Sequence, residues 1–346
     1  MRRSAYLGCF VLLTAALSIP ITAQNVLAQD EGTAYANYYA ETGNLSKRAQ
    51  LGEEFLAKFK TSDYADAVFR GVILAYYQLN NWPKVMELAA QTDQMFPKMA
   101  TADKSAVYAR AMDAAQQSNN AAQVGAFAEK VLTVTPETDG SYLNALITLV
   151  TIITGTPQPD KAASAKAEGY AQKAVGLLEK TDGKSLGMSD SEWVKQKPII
   201  ENTLHGGLGI VYFNRPDYEK AIAELLLATK AVPGDGPSWY YLGLAYYEQY
   251  LPTAKSLQEA VNKSNELKKQ RNPDQALIDE AMAAVSAYQD TVREKRDQAI
   301  DALATAVAAG GPTQKQANDQ LTKLYSAKNG STDGLDQLIK SKKPPQ

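Results

Sequence analysis

Between Asn202 and Asp235 the chain sets out Leu208, Gly209, Tyr212, Tyr218, Ala221, Leu225, Ala228 and Pro233. A second unit opens at Gly236, 34 residues after Asn202, with Trp239, Leu242, Gly243 and Tyr246 at matching offsets. A period of this length holds two short helices and a turn but no self-sufficient core, so each unit must bury its apolar face on the next. Gly209 and Gly243 fall inside helices, where glycine costs up to ~1 kcal/mol against alanine. Their use there is to let a partner helix approach, with Ala221 and Ala228 as the small residues on that partner. Pro233 cannot continue a helix, and Asp217 is a good N-cap for the start of the second one. The unit reads as helix, tight turn, helix, stop.

Trp, Leu, Gly and Tyr at these offsets, followed by Ala, a large apolar residue, Ala and Pro, resemble the tetratricopeptide-repeat family in its exported bacterial form. The resemblance implies an all-α fold, a right-handed superhelical solenoid of helix-turn-helix repeats. Weaker copies cover 66–99, where Tyr76, Trp82 and Pro97 keep their marks, and 105–138, where Val124, Ala128 and Pro136 do. Tyr38, Tyr39 and a helical pattern from Leu51 to Phe59 give an incomplete first unit. Two units are split by insertions. One covers 140–180, with helices expected over Tyr142–Ile153 and Ala162–Leu178. The other starts at 236–250 and continues at 296–311, where Ala299, Leu303 and Ala306 return late. Inserted helices over 253–294 fill the gap with a break at Asn272-Pro273. Ile278, Met282, Val285, Val292, Ile300 and Leu303 recur at helical spacing, predicting a helix of about 50 Å at ~1.5 Å per residue. A last pair carries Ala317, Leu321, Leu324 and Tyr325, then Leu335, Leu338 and Ile339.

The N-terminus has Arg2, Arg3, an apolar run from Tyr6 to Leu17 and a break at Pro20. That order predicts a signal peptide over 1–28, cleaved after Ala28 or Ala23, and so an exported protein, periplasmic or secreted. The run covers roughly half of the ~20 residues a membrane helix needs, and nothing later is long and apolar enough to span. Cys9, the only cysteine, would leave with the leader, so no disulfide or thiolate site is expected. Losing Arg2 and Arg3 takes 36 basic residues to 34 against 38 acidic ones, a formal charge of −4. With no basic block before Lys340, nucleic acid is not an expected partner. The repeat domain is expected over 29–340, with a polar, disordered tail over 341–346.

In the family resembled, first helices line a concave face and positions 2, 5, 9 and 12 of each unit point into it. Carried over, this implies a groove built from Arg70, Leu74 and Tyr77, then Ile210 and Phe213, then Tyr240, Leu244 and Tyr247. The pairs Tyr76-Tyr77, Tyr212-Phe213 and Tyr246-Tyr247 should each turn one ring inward and one outward. Such rings either floor a groove for an extended or helical apolar segment or pack only on the next repeat. His205, the only histidine, occupies the slot that Trp239 fills one unit later and reads as a packing residue. With no second histidine and no cysteine after the leader, histidine-cysteine zinc sites are excluded, and with His205 read as packing no histidine-based triad is expected, while an all-carboxylate site stays open. Gly206-Gly207-Leu208-Gly209 lies inside a repeat helix and lacks the Gly-Lys-Ser/Thr ending of a phosphate loop. No catalytic residue, cofactor or metal is therefore expected. The reading is a scaffold or assembly factor for a protein or peptide partner. The alternatives are a self-associating module using 253–294, which would form homo-oligomers, and a carboxylate hydrolase on a helical toroid.

Overall fold

A computed structural model describes residues 21–156, 160–272 and 274–343. The stretch Met1–Pro20 of the expected leader, with its apolar run and Cys9, lies outside the described residues. Among the described residues there are fourteen α-helices and no strand. None of those helices is long and apolar enough to cross a membrane. The chain divides into two compact units, one up to Asp103 and one from Lys104 onward.

The first unit holds α1 (Ile21–Ala40), α2 (Leu45–Lys58), α3 (Ala65–Gln78) and α4 (Trp82–Met95). Asn44 and Asn81 start α2 and α4 by accepting the backbone N–H of Lys47 and Lys84, which satisfies a donor the helix itself leaves free. Val68, Phe69, Val72 and Ile73 are fully buried. Their i, i+1, i+4, i+5 spacing gives α3 an apolar face broad enough to pack on both α2 and α4.

The second unit begins inside α5 (Thr101–Gln117) and continues with α6 (Ala121–Val134), α7 (Gly140–Gly155) and α8 (Lys161–Leu178). A 3-10 turn over Lys184–Leu186 leads to α9 (Asp190–Asn214) and α10 (Tyr218–Ala231). Next come α11 (Gly236–Lys268), α12 (Gln275–Ala309), α13 (Gln314–Asn329) and α14 (Leu335–Ser341). From α6 to α13 each helix packs on the next, and α7, α9, α11 and α13 also touch in series. That double neighbour relation makes the unit an all-α solenoid of helix hairpins. Side-chain caps mark the starts: Asp139, Asp160, Asp217, Asp235 and Asp274 each accept a backbone N–H one turn ahead, and Ser189 closes a capping box with Glu192.

The repeat glycines do what their position implied. A Cβ on Gly209 would stand 2.4 Å from Leu225 Cγ of α10, and one on Gly243 2.7 Å from Leu303 Cγ of α12. Leu225, Leu303, Ala221, Ala228, Ala299 and Ala306 are all completely buried. Each leucine contributes about 1.5–3 kcal/mol by leaving water.

Residues 253–294 prolong the repeat's own hairpin. α11 runs without interruption through Pro252 to Lys268, and α12 returns over 35 residues from Gln275 to Ala309; Pro273, of the expected break at Asn272-Pro273, lies outside the described residues. Ser264, Ile278, Ala281 and Val292 are buried along the extension, so the two helices stay in contact after leaving the repeat body. Of the tail expected to be disordered, Ser341 still belongs to α14 and Lys342 pairs with Asp301 of α12, while residues 344–346 lie outside the described residues.

Candidate functional site

The eight groove residues fall in both units. In the first, Arg70 forms a 2.8 Å ion pair with Asp103. Leu74 is 37% exposed. Tyr77 is half-buried and meets Trp82 edge-on at 5.4 Å. Arg70, read from sequence as a cation facing the groove, is thus held by a carboxylate of its own unit.

The other five lie where α9 and α11 run side by side, and all are half-buried. Phe213 meets Tyr241 of the next repeat at 5.6 Å and 70°, and also Tyr218 at 5.8 Å. Tyr241 meets Tyr240 at 5.4 Å, and Tyr247 leans on Tyr250 at 6.0 Å. Tyr218, Phe213, Tyr241 and Tyr240 therefore form a continuous ladder of rings, with Ile210 and Leu244 on the same two helices. Tilted and edge-on contacts at these separations are the favoured geometry and hold the rings in place. Tyr240 and Tyr247 also pack on the C-terminal apolar cluster around Leu303 and Leu321, and burial pushes the Tyr240 hydroxyl above the usual phenol range. The sequence offsets missed Tyr218, Tyr241 and Tyr250 because which rings meet across repeats depends on helix rotation.

The expected in–out pairing of rings holds in one case. Tyr212 is buried while Phe213 is half-buried, but Tyr246 and Tyr247 are both half-buried, as are Tyr76 and Tyr77. A polar cluster fixes Tyr212. Its hydroxyl donates to Glu168 at 3.1 Å and accepts from Gln172 at 3.2 Å, and Arg215 pairs with the same Glu168. Tyr246 has no such anchor; it borders a cavity of about 450 Å³ with Trp239 and Leu242, and Lys295 lies 5.7 Å over its ring.

Two further partnerships were invisible in the sequence. His205 is half-buried and bonded, its Nδ1 lying 2.7 Å from a carboxylate oxygen of Glu224 on α10. Asn202 Nδ2 donates to the Ala228 carbonyl at 3.1 Å and reaches Ser238 Oγ at 3.3 Å, which ties α9, α10 and α11 together at one junction. Among the described residues, no group of three or more His, Cys, Asp or Glu side chains is placed to hold a metal ion.

No family model matches the chain, and no curated protein matches it. Among solved structures it is similar to a tetratricopeptide repeat protein from Parabacteroides merdae ATCC 43184. Identity is 11% over 86% of this chain and 98% of that one, with a TM-score of 0.37. At that score the likeness adds no argument to the hairpin packing described above.

Proposed function

We propose that the chain is a polypeptide-binding scaffold or assembly factor, and that the ring ladder on α9 and α11 is its working surface. The observation that carries this reading is the half-buried state of Phe213, Tyr240, Tyr241 and Tyr247. Phe213, Tyr241 and Tyr240 are held by one another and Tyr247 by Tyr250, yet each ring stays partly exposed. A preformed aromatic floor binds by covering partner side chains at little ordering cost, so affinity, not turnover, is the quantity to measure. Arg2, Arg3 and the apolar run after them support export, with cleavage after Ala28 or Ala23 and work in the periplasm or outside a bacterial cell. The test is capture from cell-envelope extract by mature protein beside a variant with Tyr77, Phe213, Tyr240 and Tyr247 changed to Ala, matched for helicity. A polypeptide retained by the parent and lost by the variant supports the groove; equal recovery by both sinks it.

A second reading is favoured by the long hairpin, where Leu251, Leu277, Met282 and Tyr288 are 41%, 42%, 49% and 39% exposed. Self-association through this extension would bury them. A mass in sedimentation equilibrium that rises with concentration, and falls when Leu277 and Met282 become Ser, is the expected sign of it.

A further inference from the structure

We propose that the cavity at the root of the long hairpin receives a lysine or arginine side chain of the polypeptide held on the ring ladder. The proposal rests on the binding reading above and adds the chemistry of the partner. The cavity measures about 560 Å³ and lies among the start of α10, the stretch of α11 around Pro252, and Lys295 of α12. It is continuous with the ladder, because Tyr218, which lines it, is also the terminal ring, 5.8 Å from Phe213. A segment laid along Tyr240, Tyr241 and Phe213 would therefore reach the cavity at its end.

The lining selects charge. Ile222 and Pro252 offer apolar surface for a side-chain stem, and Glu219 and Glu248 supply two carboxylates against the single ammonium of Lys295. Lys295 lies over the Tyr246 ring, and among the described residues neither Glu219 nor Glu248 takes part in an ion pair. Glu248 is half-buried and Glu219 exposed; two other half-buried carboxylates of this unit do have cations, Glu168 in Arg215 and Asp297 in Lys328. Burial first, and then the neighbouring Glu248 carboxylate, push the Tyr218 hydroxyl above the usual phenol range, in keeping with local negative potential. A lysine or arginine would lay its stem on Ile222 and Pro252, bring its charge to Glu248, and pass the face of Tyr218. An acidic guest would meet two like charges, and a purely apolar one would desolvate Glu248 with nothing in return.

The probe is a displayed random-peptide library, panned on the parent and on a Glu219→Gln, Glu248→Gln variant checked for unchanged helicity. Dependence on the groove is read from a Phe213→Ala, Tyr240→Ala, Tyr247→Ala variant. Parent-selected peptides should share one lysine or arginine position. A synthetic copy should bind the glutamine variant about tenfold more weakly, the size of one charge-assisted hydrogen bond. Replacing that basic residue by norleucine should weaken binding to the parent about as much and add little in the variant. Groove-dependent peptides without a common basic residue, or unchanged affinity in the glutamine variant, would overturn the proposal and leave the groove standing. Failure to select any groove-dependent peptide would remove the groove reading, and this proposal with it.

Discussion

Gly243→Ala is expected to destabilise the second unit although it replaces a residue poorly suited to a helix interior. At an unobstructed helical glycine, alanine gains about 0.4–1 kcal/mol by narrowing the unfolded ensemble and favouring the helix. Gly243 is obstructed. The added Cβ would stand 2.7 Å from Cγ, 2.9 Å from Cδ2 and 3.1 Å from the backbone nitrogen of Leu303. Carbon atoms rest at about 3.5–4.0 Å, so α11 and α12 must separate by up to about 1 Å. Leu303 is completely buried, and the nearby backbone nitrogen prevents relief by rotamer change alone. Overpacking of this kind costs about 1–3 kcal/mol, which leaves a net loss of about 1–2 kcal/mol. Gly169, exposed on α8 with nothing within 4 Å of a built Cβ, is the control, and Gly169→Ala should gain about 0.5–1 kcal/mol. The two variants should differ by roughly 3–12 °C in midpoint, at about 2–4 °C per kcal/mol for a unit of this size, read by circular dichroism during thermal unfolding. A Gly243→Ala protein as stable as the parent would refute the close-approach argument. So would a Gly243→Ala, Leu303→Ala double variant whose losses simply add.

Asn202→Ala removes the bonds to the Ala228 carbonyl and Ser238 and should cost about 1–2 kcal/mol in urea unfolding; Ser238→Ala, which spares the carbonyl bond, should cost less, and the reverse order would contradict the junction role. Burial, and then the Glu53 carboxylate that accepts from it, push the Tyr76 hydroxyl up to about 12. Because the folded value lies above the unfolded one, this contribution to stability is complete below about pH 10 and is lost as pH rises toward 12. Tyr76→Phe should make alkaline unfolding over that window shallower, and superimposable curves for parent and variant would dismiss the effect.

The second unit's hairpins were legible wherever spacing alone decides the structure. Pro233 and Asp217 mark one helix end and one start, Gly209 and Gly243 mark two close approaches, and the late return of Ala299, Leu303 and Ala306 locates the second half of a split repeat. Helix continuity through proline was harder to read. Pro252 suggests a boundary, yet α11 passes through it, since contact with α12 on both sides supports the helix across the lost N–H. α9 likewise starts at Asp190 and passes Pro198, because the Ser189–Glu192 capping box fixes its beginning ahead of the repeat. At the candidate site, the offsets identified Phe213, Tyr240 and Tyr247 but not their neighbours. Tyr218 joins the ladder through a turn, and Tyr241 through the rotation of α11 against α9. Arg70 was chosen by offset too, and its pairing with Asp103 depends on a helix whose rotation no one-dimensional pattern supplies.

Site-specific photo-crosslinking in cells tests the central claim most directly, with the reactive side chain placed at Leu244 on the groove or at Met282 on the long hairpin. The account predicts an adduct with a different polypeptide at position 244, diminished when Phe213 and Tyr240 are changed to Ala, and none at 282. Adducts confined to 282, with the mass of two copies of this chain, would contradict it.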